Sequence, residues 1–162
     1  STRLSKRPAV SSSLRDGVPN GRMTRAVALD LGARRIGVAV SDAARSLAFP
    51  RPYIARQGNR ALDHRAVAEL VDEVGADVVV VGLPISLDGT HGVAARTAEE
   101  EALQLARSLE GRGVVVETFD ERFTTVSAAA ALSSACTPSR QRRMRVDSAA
   151  AAVLLQSWLE SR

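Results

Sequence analysis

Asp30, Asp120, Glu121 and Asp147 stand at the ends of otherwise apolar or helical stretches, where carboxylates could act in concert. Asp30 is the sharpest case. It lies within AVALDLGARRIGVAVSD (26–42), where Ala26, Val27, Ala28, Leu29 and Leu31 build a strand that would ordinarily carry valine at position 30. Burying or half-burying a lone carboxylate costs several kcal/mol unless it is paired or binds a cation. Asp120 and Glu121 follow the run VVVETF, and Asp147 opens the last helical stretch after a cationic segment. Neighbouring strands with the last helix packed across them would bring these carboxylates together. Unpaired, they would repel and raise one another's pKa values. A divalent cation removes that penalty, and an all-oxygen donor set suits Mg²⁺ or Mn²⁺. Two such ions about 4 Å apart can activate water and stabilise the leaving oxygen in phosphodiester cleavage.

Each of these residues also has a purely structural reading. Asp147 is a good helix N-cap, Asp120 or Glu121 can pair with Arg122, and Arg35 can serve as counter-ion to Asp30. The loop GLPISLDGTHG (82–92), with Gly82, Asp88, Gly89 and Thr90, leads from a buried strand into a helix. Ligands collect at such strand ends and phosphates favour helix N-termini, although the loop has neither a P-loop lysine nor a dinucleotide fingerprint. Otherwise it is a glycine-rich connector. Arg140, Arg142, Arg143 and Arg145 lie close together with no acid among them, suited to gripping phosphates or simply forming a solvated basic loop. His64 and His91 have no ligand-like spacing and read as surface or loop residues. The few aromatics, Phe49, Tyr53, Phe119, Phe123 and Trp158, read mostly as core, which favours recognition by backbone and shape over base stacking.

The elements that must position these residues follow from periodicity. Strands are expected at about 25–31 and 35–41, joined as a tight hairpin, with a third at about 48–55 whose Pro50 and Pro52 suit an edge. A helix at about 60–74 stops at Gly75, a doubly buried strand covers 78–81, and a helix at about 93–110 precedes a fifth strand at 114–119. An Ala-rich helix at about 124–135, a basic loop at 137–145 and a last helix at about 147–160 complete the chain. A meander feeding parallel strands with helical crossovers implies an α/β protein with a five-stranded mixed sheet covered on both faces.

The chain has 162 residues, enough for one domain with a sizeable core. Its 22 Lys and Arg against 18 Asp and Glu give a net charge of +4, which favours an anionic partner, nucleic acid foremost. The single cysteine, Cys136, rules out an internal disulfide and a Cys-based zinc site. Residues 1–22 read as a disordered basic tail and 23–162 as the folded domain. No stretch has the length or apolarity of a membrane span or the h-region of a signal peptide, so a cytoplasmic location is expected.

The blocks LDLGARRIGVAVSD (29–42), VVGLPISLDGTHG (80–92), FDERFTT (119–125) and VDSAAAAVLLQSWL (146–159) together resemble the YqgF/RuvX family. That resemblance implies a ribonuclease H-like, three-layer α/β/α fold. It also implies a metal-dependent nuclease related to Holliday-junction resolvases, with members assigned to maturation of the 5′ end of pre-16S rRNA. Carried over, Asp30 matches the acid of the first strand and Asp147 the acid opening the last helix. The DER block supplies the third acid, Glu121 in preference to Asp120. Arg35, Arg122 and the Arg140–Arg145 stretch would hold phosphates. Resolving a junction calls for a homodimer with two active sites, whereas trimming rRNA needs only a monomer. The alternative is a non-catalytic nucleic-acid-binding or ribosome-assembly factor with a vestigial site. A phosphate hairpin of the actin and sugar-kinase type would require a second, ATP-enclosing domain for which 162 residues leave no room.

Overall fold

The computed structural model describes residues 23–124 and the helix backbone from 139 to 162, with side chains there from Ser148 onward. The 1–22 tail, Cys136 and nearly all of the expected 124–135 helix lie outside the described residues. The elements are β1 (Arg25–Leu31), β2 (Arg35–Ser41), β3 (Ala48–Ala55), α1 (Arg60–Val74), β4 (Ala76–Leu83), α2 (Val93–Ser108), β5 (Val115–Asp120) and α3 (Ser139–Glu160). A single 3-10 turn, Glu121–Phe123, follows β5. The sheet order is β3-β2-β1-β4-β5; β1, β4 and β5 run parallel and the β1–β2–β3 meander is antiparallel.

Alternation along β1 assigns its faces. Val27 and Leu29, with Val38 and Val40 of β2 and Val79 and Val81 of β4, pack against Val67, Val71, Ala102 and Leu105 of α1 and α2. Ala26 and Ala28, with Ala39 and Val80, pack against Ala151, Leu154, Leu155 and Trp158 of α3. Small residues on both sides of this second layer let α3 approach the sheet closely. Asp30 continues the alanine face, so its carboxylate belongs to the α3 side.

The tight turns are specified locally. The Gly32 N–H donates to the Arg35 carbonyl at 2.9 Å to close the β1–β2 hairpin. A Cβ at Gly32 would stand only 2.7 Å from that same oxygen, so no other residue fits without displacement. Asn59 caps α1 by accepting from the Ala61 and Leu62 N–H groups, and Gly75 ends the helix at φ 71°.

Helix α3 departs from the sequence reading. It begins at Ser139, so Arg140, Arg142, Arg143 and Arg145 lie on a helix and not in a loop. After Pro138 the segment SRQRRMRVD holds Arg, Gln and Met, strong helix formers, and no glycine or proline; propensity outweighs charge repulsion there. Two buried polar side chains moor this helix to the edge of the sheet. Where the β2–β3 register shifts between Ile36 and Val38, Ser148 Oγ accepts from the Val38 N–H at 3.0 Å and donates to the Arg51 carbonyl at 2.7 Å. Gln156 Oε1 accepts from the Ala48 N–H at 2.9 Å.

Candidate active site

Asp30 reaches the carboxyl end of β1 directly opposite Gly37 of β2. The parallel register, Leu29 beside Val81, places Gly82 of β4 on its other flank when continued by one residue. Beyond β5 the 3-10 turn folds Glu121 back over that glycine. A Cβ at Gly82 would lie 2.9 Å from Glu121 Oε2 and 3.0 Å from Leu154 Cδ2, so the bare Cα is what admits the carboxylate. Asp30, Glu121, Thr124, Ala150, Val153 and Leu154 line one pocket of about 280 Å³. Burial raises the pKa of Asp30. Burial also raises that of Glu121, and the negative charges of Asp30 and then Asp120 add to it. Among the described residues no basic side chain lines the pocket. The two acids are thus partly desolvated, close enough to feel each other, and held on one side of the sheet by different elements.

Asp120 points to a different task. It caps the 3-10 turn by accepting from the Arg122 N–H at 2.9 Å, and it takes the Arg122 guanidinium in a fork, Nε at 2.9 Å and Nη2 at 2.6 Å from Oδ2. The Arg122 hydrogen bond holds its carboxyl below the usual range. Asp88, Gly89 and Thr90 form an exposed turn in which Asp88 Oδ1 accepts from the Thr90 N–H and hydroxyl; these hydrogen bonds, and then the charge of Arg122, lower the pKa of Asp88. Gly82 is the end of β4 and not part of that loop. Arg35, on the Asp30 face of β2, holds its guanidinium carbon 4.9 Å from the Tyr53 ring centroid. The backbone of Asp147 and of the four arginines belongs to α3; their side chains lie outside the described residues. Among the described residues no group of three or more His, Cys, Asp or Glu could hold a metal ion.

The family model for RuvX, described as Holliday junction resolvase, matches residues 24–161. The chain belongs to the RuvX family. A relative from Anaeromyxobacter sp. (strain Fw109-5), named "Putative pre-16S rRNA nuclease", is 41% identical over 138 residues, covering 85% of this chain and 98% of its own. One of the same name from Rhodococcus opacus (strain B4) is 40% identical over 151 residues, covering 91% and 84%. Among solved structures, T. thermophilus RuvC in complex with Holliday junction substrate matches at 14% identity with a TM-score of 0.54, covering 86% of this chain and 95% of that one. The fold is ribonuclease H-like, as the sequence blocks imply.

Sequence reasoning missed a buried charged cluster on the opposite face of the same sheet edge in this RuvX-family chain. Arg56 donates to Glu101 at 2.7 and 3.1 Å and to Asp63 at 3.3 Å, and its Nε donates to the Gly32 carbonyl at 3.0 Å. His64, expected at the surface, is buried with Nε2 3.0 Å from Glu101. The cluster ties the hairpin tip behind Asp30 to α1 and α2 and borders a cleft of about 440 Å³. The available signal was Asp63 and His64 sharing the helical face of Val67 and Val71, and Glu101 sharing that of Ala98, Ala102 and Leu105. Most of the five aromatics read as core in the sequence, but Phe49, Tyr53 and Phe123 are exposed. Phe49 and Tyr53 lie on the edge strand β3, where the Arg35 guanidinium stands over the Tyr53 ring, and Phe123 lies in the turn beyond β5, edge to face with Phe119.

Proposed function

We propose that this RuvX-family chain is a divalent-metal-dependent endonuclease that hydrolyses phosphodiester bonds in structured nucleic acid, with pre-16S rRNA precursor as its foremost substrate class. The observation that carries the reading is the shared pocket of Asp30 and Glu121 over Gly82, two partly desolvated carboxylates whose negative charges act on each other. Like charges at that proximity are what a cation relieves. The donors among the described lining residues are oxygens, which fits Mg²⁺ or Mn²⁺ better than zinc. Asp30 and Glu121 would hold the metal, and Asp147, on the helix that packs across the Asp30 face, would complete the set. Bound there, the cation supplies positive charge at the scissile phosphate and makes water a stronger acid.

The chain's own residues do the rest. The apolar wall of Ala150, Val153 and Leu154 limits water around the two carboxylates, which keeps their charges effective. Arg35 on the Asp30 face and Arg140, Arg142, Arg143 and Arg145 on α3 would take the flanking phosphates; that contact carries no sequence information and weakens as salt rises. The curated relatives' names support rRNA processing, and the family description supports branched DNA. No described helix is long and apolar enough to cross a membrane.

Incubating wild type and Asp30→Asn with Mn²⁺ and either a pre-16S 5′ leader or a four-way junction, with oligomeric state measured in parallel, tests the reading. Cleavage by wild type and none by Asp30→Asn, with binding preserved, is expected. Tight binding without cleavage of either substrate would instead identify an assembly factor. Junction cleavage by a dimer would move the substrate class to DNA.

A further inference from the structure

One part of the rim has a character that the acids and arginines do not account for. Leu87, in the turn after β4, is 94% exposed, and Phe123, in the turn after β5, is 61% exposed. Both turns lie at the carboxyl edge of the sheet. Phe123 is two residues beyond Glu121 and precedes Thr124, a wall residue of the acidic pocket. Arg122 joins the two turns: its guanidinium carbon is 6.0 Å from the Phe123 ring centroid, and a Cβ at Gly89 would lie 3.5 Å from its Nη1.

The charge of Arg122 is already spent. Asp120 takes it in a fork and Asp88 lies close to it, so Arg122 stiffens the rim and is poorly suited to gripping a phosphate. Phe123 is propped from behind by Phe119, edge to face at 6.1 Å and 72°. What the rim offers a substrate is therefore an apolar tip without a free cation among the groups named, beside a pocket suited to a phosphodiester. The uncharged, flat part of a nucleic acid is its base, and apolar side chains that meet a base do so by stacking or wedging where the stack is already broken.

We infer that Phe123 and Leu87 form a base-contacting tip that engages an unstacked nucleobase next to the bond held at Asp30 and Glu121. This inference rests on the proposed nuclease reading for the position of the bond. It narrows the substrate to strands with a break in stacking beside the target phosphate: a single-strand–duplex boundary, a bulge or a branch. A continuous duplex offers no such base.

The test uses the full chain and an RNA hairpin with a single-stranded 5′ leader carrying 2-aminopurine at the first unpaired position, with a fully paired duplex of the same length as control. Fluorescence is read in Ca²⁺ for wild type, Phe123→Ala, Leu87→Ala and Phe123→Trp; cleavage is read separately in Mn²⁺. Wild type should change the leader probe's fluorescence and bind it more tightly than the duplex. Phe123→Ala should lose the change and weaken leader binding roughly tenfold, the scale of one stacked base. Leu87→Ala should do so less, and Phe123→Trp should restore both. Unchanged melting temperatures would show that the exposed side chains act on substrate and not on folding. An equal fluorescence response from wild type and Phe123→Ala, or equal affinity of wild type for leader and duplex, overturns the inference. Absence of cleavage by wild type overturns the nuclease reading alone, because the fluorescence arm decides the base contact without it.

Discussion

Burial raises the pKa of both Asp30 and Glu121, and the charge of Asp30 adds to the rise at Glu121, so the folded chain disfavours their ionised forms. A folded-state pKa above the ordinary value means that the ionised acid costs stability at neutral pH and that the cost is relieved on protonation. Asp30→Asn should therefore raise the melting temperature of the metal-free protein near pH 7 while removing cleavage. Added Mn²⁺ should raise the melting point of wild type by mass action and leave that of Asp30→Asn nearly unmoved. Thermal melts followed by Trp158, the only tryptophan, read both effects. Gly82 makes the complementary prediction. A methyl group there collides with Glu121 Oε2 at 2.9 Å and Leu154 Cδ2 at 3.0 Å, so Gly82→Ala must displace one of them. Overpacking of this kind costs roughly 1–3 kcal/mol. Displacing Glu121, the proposed metal-holding carboxylate, by about an ångström should cut turnover on the order of 100-fold. A Gly82→Ala enzyme of wild-type activity would remove Gly82 from the site.

At the scale of elements, the site depends on where α3 starts and how it is moored. Ser148, fully buried, fills the irregularity between β2 and β3 by accepting from Val38 and donating to Arg51. Replacing it with alanine leaves the Val38 N–H and the Arg51 carbonyl buried without that partner, at a cost of about 1–3 kcal/mol. Because Ser148 follows Asp147 directly, urea unfolding of Ser148→Ala should show that loss together with a raised Mn²⁺ requirement for cleavage; a stability loss with an unchanged metal requirement would confine Ser148 to folding. The strands and first two helices were legible in the sequence, because alternation in β1, β2 and β4, Asn59 and Gly75 at the ends of α1, and the prolines of β3 each encode a local preference. Asp30 was legible because an acid breaks an apolar run. The start of α3 was misread because four arginines look like a solvated loop, while their helix propensity and the preceding Pro138 say otherwise. Ser148 and Gly82 were not legible as site residues: a serine in an Ala-rich helix and a glycine after valines acquire meaning only through partners that lie far away in sequence.

Across the whole molecule, the carboxyl edge of the sheet carries acids on both faces and treats them in opposite ways. On the α3 face Asp30 and Glu121 share a pocket with no basic side chain among its described lining residues. On the α1–α2 face Asp63 and Glu101 are buried against Arg56, with His64 and Arg60 also reaching Glu101. Burial alone would raise Glu101, but hydrogen bonds from His64 and Arg56, with the charges of Arg56 and Arg60, bring its pKa down to about 2. Acids with raised pKa values mark the face of the proposed cation site, and acids paired with Arg56 mark the face that fixes the scaffold. The consequence for pH follows from the sign of each shift. Glu101, depressed in the folded state, contributes stability that is fully present above its ordinary pKa and is lost as pH falls toward about 2. That contribution is on the order of 3 kcal/mol, from a drop of roughly 2.5 pKa units. Asp30 and Glu121 work the other way and soften the loss. Glu101→Gln should thus be clearly less stable than wild type near pH 7, with the gap narrowing as pH is lowered toward about 3. Asp30→Asn should instead be more stable near pH 7, with its advantage fading over the same range. Urea titrations at several pH values check both slopes. Parallel curves for wild type and Glu101→Gln would mean that the cluster holds the hairpin behind Asp30 by shape and not by charge.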